Sequence, residues 1–182
     1  MRGAAYILVA ILLLLVQANL YRIFGPLSGL ISNRWLHGLS PDLALPLVVF
    51  VGVHEPSMAK GALFAFAIGY AQDILAGAPV GLFTFVSVVV WWLSRIAGVR
   101  LTAQTWLTRV SLGFVFSVIE GALLLVLLAV FGSDNRRPVE LSNIVLPHAL
   151  ATGLCSPVLF RLAQRMRQGP TPVRAPAEGP AA

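Results

Sequence analysis

The sequence predicts an all-α membrane protein, a polytopic bundle of six transmembrane helices. Hydrophobic residues make up 58% of the 182-residue chain and charged residues 11%, a balance typical of proteins whose surface faces lipid. The apolar residues are gathered into segments that approach the length of a membrane span, separated by polar or Gly/Pro-rich stretches. We therefore expect one transmembrane domain, residues 1–163, and a disordered, basic, proline-rich cytoplasmic tail, residues 164–182.

The charge pattern argues against a nucleic-acid partner. The chain has 13 Lys and Arg against 7 Asp and Glu, but the basic residues are spread along the sequence, without a basic helix that carries aromatic side chains between them. Cys155 is the single cysteine, which excludes a disulfide within one chain and a metal cluster built on cysteines. We expect no nucleic acid, no metal and no cofactor.

The first predicted span covers residues 4–21, and Gln17 and Asn19 lie near its far end. A cleaved signal peptide is the alternative, because Val16-Gln17-Ala18 resembles a small-x-small cleavage site after a short apolar run. Continuation into further apolar segments favours an uncleaved span. Residues 22–40 are too polar to cross, and their apolar residues at helical spacing fit either a short interfacial helix or an irregular loop.

The second predicted span, residues 41–53, is short for a crossing. It offers about a dozen apolar residues against the roughly 20 that the hydrocarbon core requires. Pro46 inside it is expected to bend or break a helix. Without this span, however, the charges before and after it would fall on inconsistent sides of the membrane. We therefore predict a tilted or partly unwound segment that neighbouring helices shield.

A stripe of small residues runs along the third span, residues 57–76. The residues that recur every four positions, and so share one face of a helix, are Gly61, Ala65, Gly69 and Asp73. Such a face lets another helix approach closely, and this one ends in a carboxylate. The turn Gly77-Ala78-Pro79 leads into the fourth span, residues 80–97. So short a link predicts an antiparallel helical hairpin.

The fifth span, residues 110–132, repeats this pattern. Its small residues four apart are Gly113, Ser117 and Gly121. Glu120 falls beside them, and an ionised carboxylate near the bilayer centre is unfavourable by about 2.5 to 3.5 kcal/mol. We expect Glu120 to be protonated, paired or turned toward the bundle interior. A polar loop, residues 132–143, precedes the sixth span, residues 144–162, where His148 is more typical of a hydrogen-bonded structural group than of a metal ligand.

Asp73 and Glu120 do not form a predicted catalytic pair. Asp73 lies within about two turns of its helix end and Glu120 several turns in. No nucleophile motif, phosphate loop or metal-ligand spacing accompanies them. The sequence therefore predicts no enzymatic activity. We expect each carboxyl group to hydrogen-bond inside the bundle, and the candidate partners are Gln17, Asn19, Gln72 and His148.

The distribution of basic residues predicts that both termini lie in the cytoplasm. With six spans and the N-terminus inside, the nine cytoplasmic basic residues are Arg2, Lys60, Arg95, Arg100, Arg109, Arg161, Arg165, Arg167 and Arg174. The four outside are Arg22, Arg34, Arg136 and Arg137. The basic cytoplasmic end is expected to hold anionic lipid headgroups. The indoles of Trp91, Trp92 and Trp106 are placed to sit at headgroup depth near it, and Arg95 is placed to snorkel.

One stretch resembles a known family. The run Gly69-Tyr-Ala-Gln-Asp73-Ile-Leu-Ala-Gly77-Ala-Pro79-Val-Gly81-Leu82 is similar to the signature of the MreD family of rod shape-determining membrane proteins. That signature has a glycine, then Asp with apolar neighbours, then Gly-x-Pro/Thr-hydrophobic-Gly. Gln17 near the end of the first span and Pro41-Asp42 at the start of the second also fit. The resemblance covers most of the first half of the chain, and the second half agrees in hydropathy and length.

The resemblance implies a non-enzymatic scaffold of the bacterial rod complex, or elongasome, in the inner membrane. Its implied partner is MreC, alongside the actin-like MreB, the glycosyltransferase RodA and a class B penicillin-binding transpeptidase. Its implied roles are peptidoglycan synthesis and maintenance of cell shape. We expect the outward segment from Asp73 to Gly81 and the first loop to meet the extracytoplasmic partner. The expected partner-binding or structural polar anchors are Asp73, Gly69, Gly77, Pro79, Gly81, Gln17 and Glu120.

A second hypothesis is a small-solute binder. MreD-like proteins are similar in plan to the substrate-binding subunits of energy-coupling-factor vitamin transporters, which also have six short helices. In such a protein Asp73, Glu120, Gln17 and His148 would line a pocket near the membrane midplane. Those subunits borrow their ATPase, so the lack of an ATP-binding motif in this chain does not separate the two hypotheses.

Overall fold

The computed structural model describes residues 6–19, 40–76, 79–98, 106–131 and 138–168, with the backbone alone for 138–144 and 168. Within these ranges the chain is helical and has no β-strand, which confirms the all-α prediction. The helices are α1 (Tyr6–Asn19), α2 (Leu45–His54), α3 (Met58–Ala76), α4 (Leu82–Gly98), α5 (Trp106–Phe131) and α6 (Pro138–Gln168). Residues 22–39 of the predicted first loop, Gly77 and the tail beyond residue 168 lie outside the described residues.

Two of these helices are long and apolar enough to cross a membrane. They are α5 and the part of α6 from Val145 to Arg167. Helices α1, α2 and α4 are apolar but shorter. The 10 residues of α2, at about 1.5 Å each, extend across roughly half of a 30 Å hydrocarbon core. Length and composition thus identify two of the six predicted spans.

Helix α2 lies at the centre of the bundle. Its residues from Leu45 to Gly52 are all buried, and it contacts α3, α4, α5 and α6. Pro46 lies in the first turn of this helix. A proline is harmless there, because the first N–H groups of a helix have no partner within it. The prediction that Pro46 bends or breaks the helix is therefore wrong, since the helix begins beside it.

Two antiparallel hairpins surround α2. The most extensive helix contacts are those between α5 and α6 and between α3 and α4. Helix α1 packs against them through Ala10 and Leu14. The hydroxyl group of Tyr6 donates a hydrogen bond to the carbonyl oxygen of Ala163 on α6 (3.3 Å). All six described helices therefore share one core.

Small residues set the spacing of the α3–α4 hairpin. A Cβ atom on Gly61 would lie 2.6 Å from the indole nitrogen of Trp91, and one on Gly69 would lie 2.5 Å from the Cα atom of Thr84. Ala65, between these two glycines, is fully buried. Helix α4 therefore packs on the face of α3 that the spacing of small residues predicts.

The α5–α6 hairpin is built in the same way. A Cβ atom on Gly113 would overlap the side chain of Ser156, and one on Gly121 would lie 2.6 Å from Cγ1 of Val145. Ser117, between the two glycines, is fully buried. The predicted small-residue face of α5 is thus covered by α6.

The larger differences between helix ends and predicted span ends lie in α2, α5 and α6. Helix α2 begins at Leu45, after the predicted start at residue 41. Helix α5 begins at Trp106, before the predicted start at residue 110. Helix α6 begins at Pro138, inside the predicted loop 132–143, and continues to Gln168, past the predicted tail boundary at 164. Hydropathy marks the part of a helix that faces lipid, whereas backbone hydrogen bonds continue through polar residues. The predicted loop 132–143 and the predicted tail 164–182 therefore both include residues that are helical.

Polar side chains lie inside the bundle and apolar side chains cover much of its outside. Exposed large apolar residues occur on all the helices except the central α2. The buried polar residues are Asp42, Gln72, Asp73, Thr84, Ser87, Ser94, Ser117, Glu120, Thr152 and Ser156. Soluble monomers rarely expose apolar surface on this scale. This distribution is typical of a protein whose outer surface meets lipid.

The tryptophans divide between the core and the surface. Trp91 is only 3% exposed, whereas Trp92 and Trp106 are about half exposed (49% and 55%). The indole of Trp91 lies over Gly61, where the missing side chain leaves room for it. Trp91 therefore faces helix α3 rather than the outer surface. The headgroup depth of the indoles stays a prediction.

All Lys and Arg residues in the described part of the chain lie toward one end of the bundle, here called the basic end. They are Lys60, Arg95, Arg109, Arg161, Arg165 and Arg167. These residues lie in the first turns of α3 and α5 and in the last turns of α4 and α6. Because the helices of each hairpin are antiparallel, these turns lie at the same end of the bundle. The opposite end, which contains Asp42 and Asp73, is called the acidic end.

Candidate functional site

Asp73, near the end of α3, caps the first turn of α4. Its Oδ2 accepts hydrogen bonds from the backbone N–H of Gly81 (2.9 Å), the N–H of Thr84 (3.2 Å) and the Thr84 hydroxyl (2.6 Å). Its Oδ1 accepts one from the N–H of Phe83 (2.8 Å). N–H groups at the start of a helix lack partners within it, and the helix dipole favours a negative charge there. Asp73 is thus a helix cap supplied by a neighbouring helix.

Two glycines make this cap possible. Gly81 has a φ of +99°, a backbone conformation that favours glycine, and its N–H points at Asp73. Gly69 lets the backbone of Thr84 approach α3. The turn presents Pro79 and Val80 on the outside, and Val80 is 86% exposed. Gly69, Asp73 and Gly81 therefore act together to fix the hairpin tip.

A second group of polar side chains lies at the acidic end, around Asp42. Its Oδ1 accepts hydrogen bonds from the N–H groups of Ala44 (2.8 Å) and Leu45 (3.1 Å), at the start of α2. Its Oδ2 accepts one from Nε2 of Gln72 on α3 (3.2 Å). The backbone N–H of Asp42 donates to the hydroxyl of Thr152 on α6 (2.9 Å). Asp42 thus joins the start of α2 to two other helices.

Two glutamines extend this network. Oε1 of Gln17 on α1 accepts a hydrogen bond from the N–H of Leu43 (3.1 Å). Oε1 of Gln72 accepts one from the hydroxyl of Ser87 on α4 (3.4 Å). Helices α1, α3 and α6 therefore hydrogen-bond to the short segment that precedes α2, and α4 joins them through Gln72.

Glu120 and His148 complete a group that we call the polar cluster, which consists of Asp42, Glu120 and His148. Their ligand-type atoms, the carboxylate oxygens and an imidazole nitrogen, all lie within 4.8 Å of one another. Glu120 is 4% exposed, and its Oε2 has no hydrogen-bond partner among the described residues. The cluster lines a cavity of about 560 Å³ that also contacts Gln17 and Phe83.

No protein-family model, no curated protein and no solved structure matches this chain. The resemblance to MreD therefore rests on the chain's own residues. In the MreD-like run, Gly69, Asp73 and Gly81 meet in one hairpin, while Gly77 lies outside the described residues. Gln17 and Asp42, which also belong to the resemblance, meet at the start of α2.

The predicted hydrogen-bond partners of Asp73 are wrong. Its four bonds go to Gly81 and to the first turn of α4, because N–H groups at the start of a helix need an acceptor. Asn19 donates instead to the carbonyl of Leu15 (2.8 Å). Of the side chains expected to line a pocket, Gln17, Glu120 and His148 do so and Asp73 does not.

Asp42 and Thr152 are absent from the predicted anchors. A sequence signal exists for Asp42, because an aspartate just before an apolar run commonly holds the first N–H groups of a helix. No sequence pattern indicates that Asp42 lies close to Glu120, since the two residues belong to segments far apart in the chain. Thr152 falls beside the small residues of α6 and looks like a packing residue in the sequence.

The basic end has a cavity of its own, with a volume of about 430 Å³. Apolar side chains, including Phe50 and Phe64, line it together with His54, Lys60 and Arg167. Beside it, the guanidinium group of Arg95 donates to the carbonyls of Glu55 (2.8 Å) and Pro56 (3.0 Å) and holds the α2–α3 connection. This arrangement places cationic groups beside an apolar groove.

Proposed function

We propose that this chain is a non-enzymatic membrane scaffold of the MreD type. In this proposal it spans the bacterial inner membrane six times, with both termini in the cytoplasm. It binds MreC within the rod complex that contains MreB, RodA and a class B penicillin-binding transpeptidase. It thereby supports peptidoglycan synthesis and cell-shape maintenance.

One observation carries the proposal: the polar groups of the MreD-like run hold a hairpin. All four hydrogen bonds of Asp73 go to Gly81 and the first turn of α4, so this carboxylate has a structural task. The hairpin presents the apolar side chain of Val80 at a fixed position on the acidic end. An exposed apolar side chain beside a capped helix start is a surface on which a partner is able to pack.

The position of the basic residues supports the proposed orientation. Lys and Arg are enriched on the cytoplasmic side of membrane proteins, and every described Lys and Arg lies toward the basic end. The acidic end and the Val80 tip then face outward, toward the extracytoplasmic partner. The cavity at the basic end suits an anionic lipid. Lys60 and Arg167 would attract its headgroup, and the apolar groove beside them would hold its acyl chain.

Co-purification of MreC with full-length protein from native membranes tests the proposal. We expect Val80→Asp to reduce recovered MreC by about tenfold, equivalent to about 1.4 kcal/mol, without a change in unfolding temperature. Met58→Asp is the matched control, because it adds the same charge at an exposed position at the other end of the hairpin. Undiminished pairing and normal cell shape with Val80→Asp would remove the hairpin tip from the proposal.

The cavity at the acidic end favours a second candidate, a binding subunit for a small solute. Its volume of about 560 Å³ falls within the range of small-molecule pockets, and a few polar groups converge on an otherwise apolar lining. A vitamin-type solute that raises the unfolding temperature at micromolar concentration would favour this candidate. Gene neighbours that encode MreB and MreC would favour the scaffold.

A further inference from the structure

We propose that the polar cluster binds one divalent transition-metal ion between Asp42, Glu120 and His148. Asp42 precedes α2, Glu120 lies on α5 and His148 lies on α6, so the ion would join three separate segments. Their ligand-type atoms lie within 4.8 Å of one another, close enough for one ion to contact all three. This inference does not depend on the proposed scaffold function.

Glu120 points to a missing ligand. Its Oε2 is buried and has no hydrogen-bond partner among the described residues, and the side chain lines the cavity. In its ionised form this oxygen has lost its hydration and gained no donor in exchange, because the Asp42 carboxylate beside it is a second acceptor. A metal ion placed between the three side chains supplies the partner that this oxygen lacks.

The charge of the cluster suits a divalent ion. Asp42 and Glu120 bring two carboxylates together, and the Lys and Arg residues of the described segments all lie toward the opposite, basic end. A single proton shared between the carboxylates would leave one negative charge in a buried site. A divalent ion neutralises both carboxylates while the imidazole stays neutral.

The donor atoms select the class of metal. Mg²⁺ and Ca²⁺ prefer oxygen ligands, whereas an imidazole nitrogen beside carboxylates suits ions such as Zn²⁺ and Mn²⁺. Three protein ligands leave further coordination positions open toward the cavity, for water or a solute. Asp42 is already oriented by the N–H groups of Ala44 and Leu45 and by Gln72. Such outer contacts typically hold a metal ligand in place.

Metal content of the purified full-length protein tests the inference. The protein carries a tag without histidine, is stripped with a chelator and is incubated with Zn²⁺, Mn²⁺ or Mg²⁺ before desalting. We expect about one Zn²⁺ per wild-type chain, no retained Mg²⁺, and background Zn²⁺ in Glu120→Gln and His148→Gln. His54→Gln is the matched control, because it removes an imidazole at the opposite end, and it should retain the metal.

Two further measurements separate a built site from an adventitious ion. Zn²⁺ should raise the unfolding temperature of the wild type and of His54→Gln, but not of the cluster variants. The spin-resonance spectrum of bound Mn²⁺ should show coupling to nitrogen that disappears in His148→Gln, and this readout decides the matter if Glu120→Gln does not fold. No retained metal in the wild type, or equal retention in the wild type and both cluster variants, would overturn the inference.

Discussion

Asp73 and Glu120 are both buried carboxyl groups on helices, yet their oxygens have different neighbours. Asp73 is 3% exposed and its two oxygens accept four hydrogen bonds from Gly81 and the first turn of α4. Glu120 is 4% exposed, lies near a second carboxyl group, and has one oxygen without a partner among the described residues. The two carboxyl groups are buried to nearly the same extent. The hydrogen-bond donors around them therefore make Asp73 a structural cap, whereas Glu120 keeps an oxygen that a ligand is able to contact.

At the residue scale, removal of the Asp73 cap should destabilise the protein. We expect Asp73→Ala to lower the free energy of unfolding by about 2 to 4 kcal/mol, because three N–H groups at the start of α4 and one hydroxyl lose their acceptor. Thr84→Val removes one side-chain bond and should lower it by about 1 kcal/mol. Thermal unfolding in detergent measures both. An unchanged unfolding temperature for Asp73→Ala would show that the cap contributes little.

At the scale of the helix, the two hairpins differ in what each glycine faces. Gly69 faces the backbone of Phe83 and Thr84, which has no room to move aside within a packed helix. Gly113 faces the side chain of Ser156, which a substitution is able to remove. Close packing of this kind replaces the hydrophobic driving force that lipid does not supply between helices.

Substitutions of two glycines in the α3–α4 hairpin should separate packing from backbone strain. Gly69→Ala should lower the free energy of unfolding by about 1 to 3 kcal/mol, because its Cβ would meet backbone atoms. Gly81→Ala meets no atom within 4 Å, so its loss of about 1 to 2 kcal/mol would come from the positive φ alone. We expect Gly69→Ala to move α4 away from α3 and so to weaken chemical cross-linking between the two helices. Gly81→Ala should leave that cross-linking unchanged. The reverse result would contradict this assignment.

The α5–α6 contact allows a rescue experiment. Gly113→Ala should destabilise the hairpin, and Ser156→Gly should restore much of the loss, because it removes the side chain that the new methyl group meets. We expect a coupling free energy of about 1 to 2 kcal/mol in the double-mutant cycle. Gly113→Ala combined with Ser87→Gly, on α4, should be additive. Additive changes in the free energy of unfolding for both pairs would show that a side chain at position 113 does not clash with Ser156.

At the scale of the whole molecule, charge divides the two ends and apolar residues cover the outside. The described Lys and Arg lie toward the basic end, while Asp42 and Asp73 lie at the other. Between them, the exposed apolar side chains of the outer helices offer a surface that lipid is able to cover. Under the positive-inside rule, this arrangement predicts one orientation for the proposed membrane bundle.

Cysteine labelling should report that orientation. In a Cys155→Ser background, a membrane-impermeant maleimide should label Val80→Cys in intact cells and Lys60→Cys only after permeabilisation. Both positions are exposed, so differences in labelling would report the side of the membrane. Labelling of Lys60→Cys alone in intact cells would invert the proposed topology and place the basic end outside.

The sequence by itself determined the helical class, the α3–α4 hairpin and the small-residue faces of α3 and α5. These features depend on hydropathy, on the period of about 3.6 residues per turn and on a tight turn, all of which are local. Local patterns also indicated that Asp73 lies on a packed face. They did not indicate its partners, because the N–H groups that it caps become available only when α4 folds back on α3.

Only the tertiary structure decided the burial of Trp91, the central place of α2 and the meeting of Asp42, Glu120 and His148. Each depends on which helices are neighbours and on their relative rotation, and a repeating pattern along one helix carries no information about either. Asp42 and Glu120 come together because α2 lies between the two hairpins. The same arrangement that buries an apolar core therefore also places two carboxyl groups and an imidazole around one cavity.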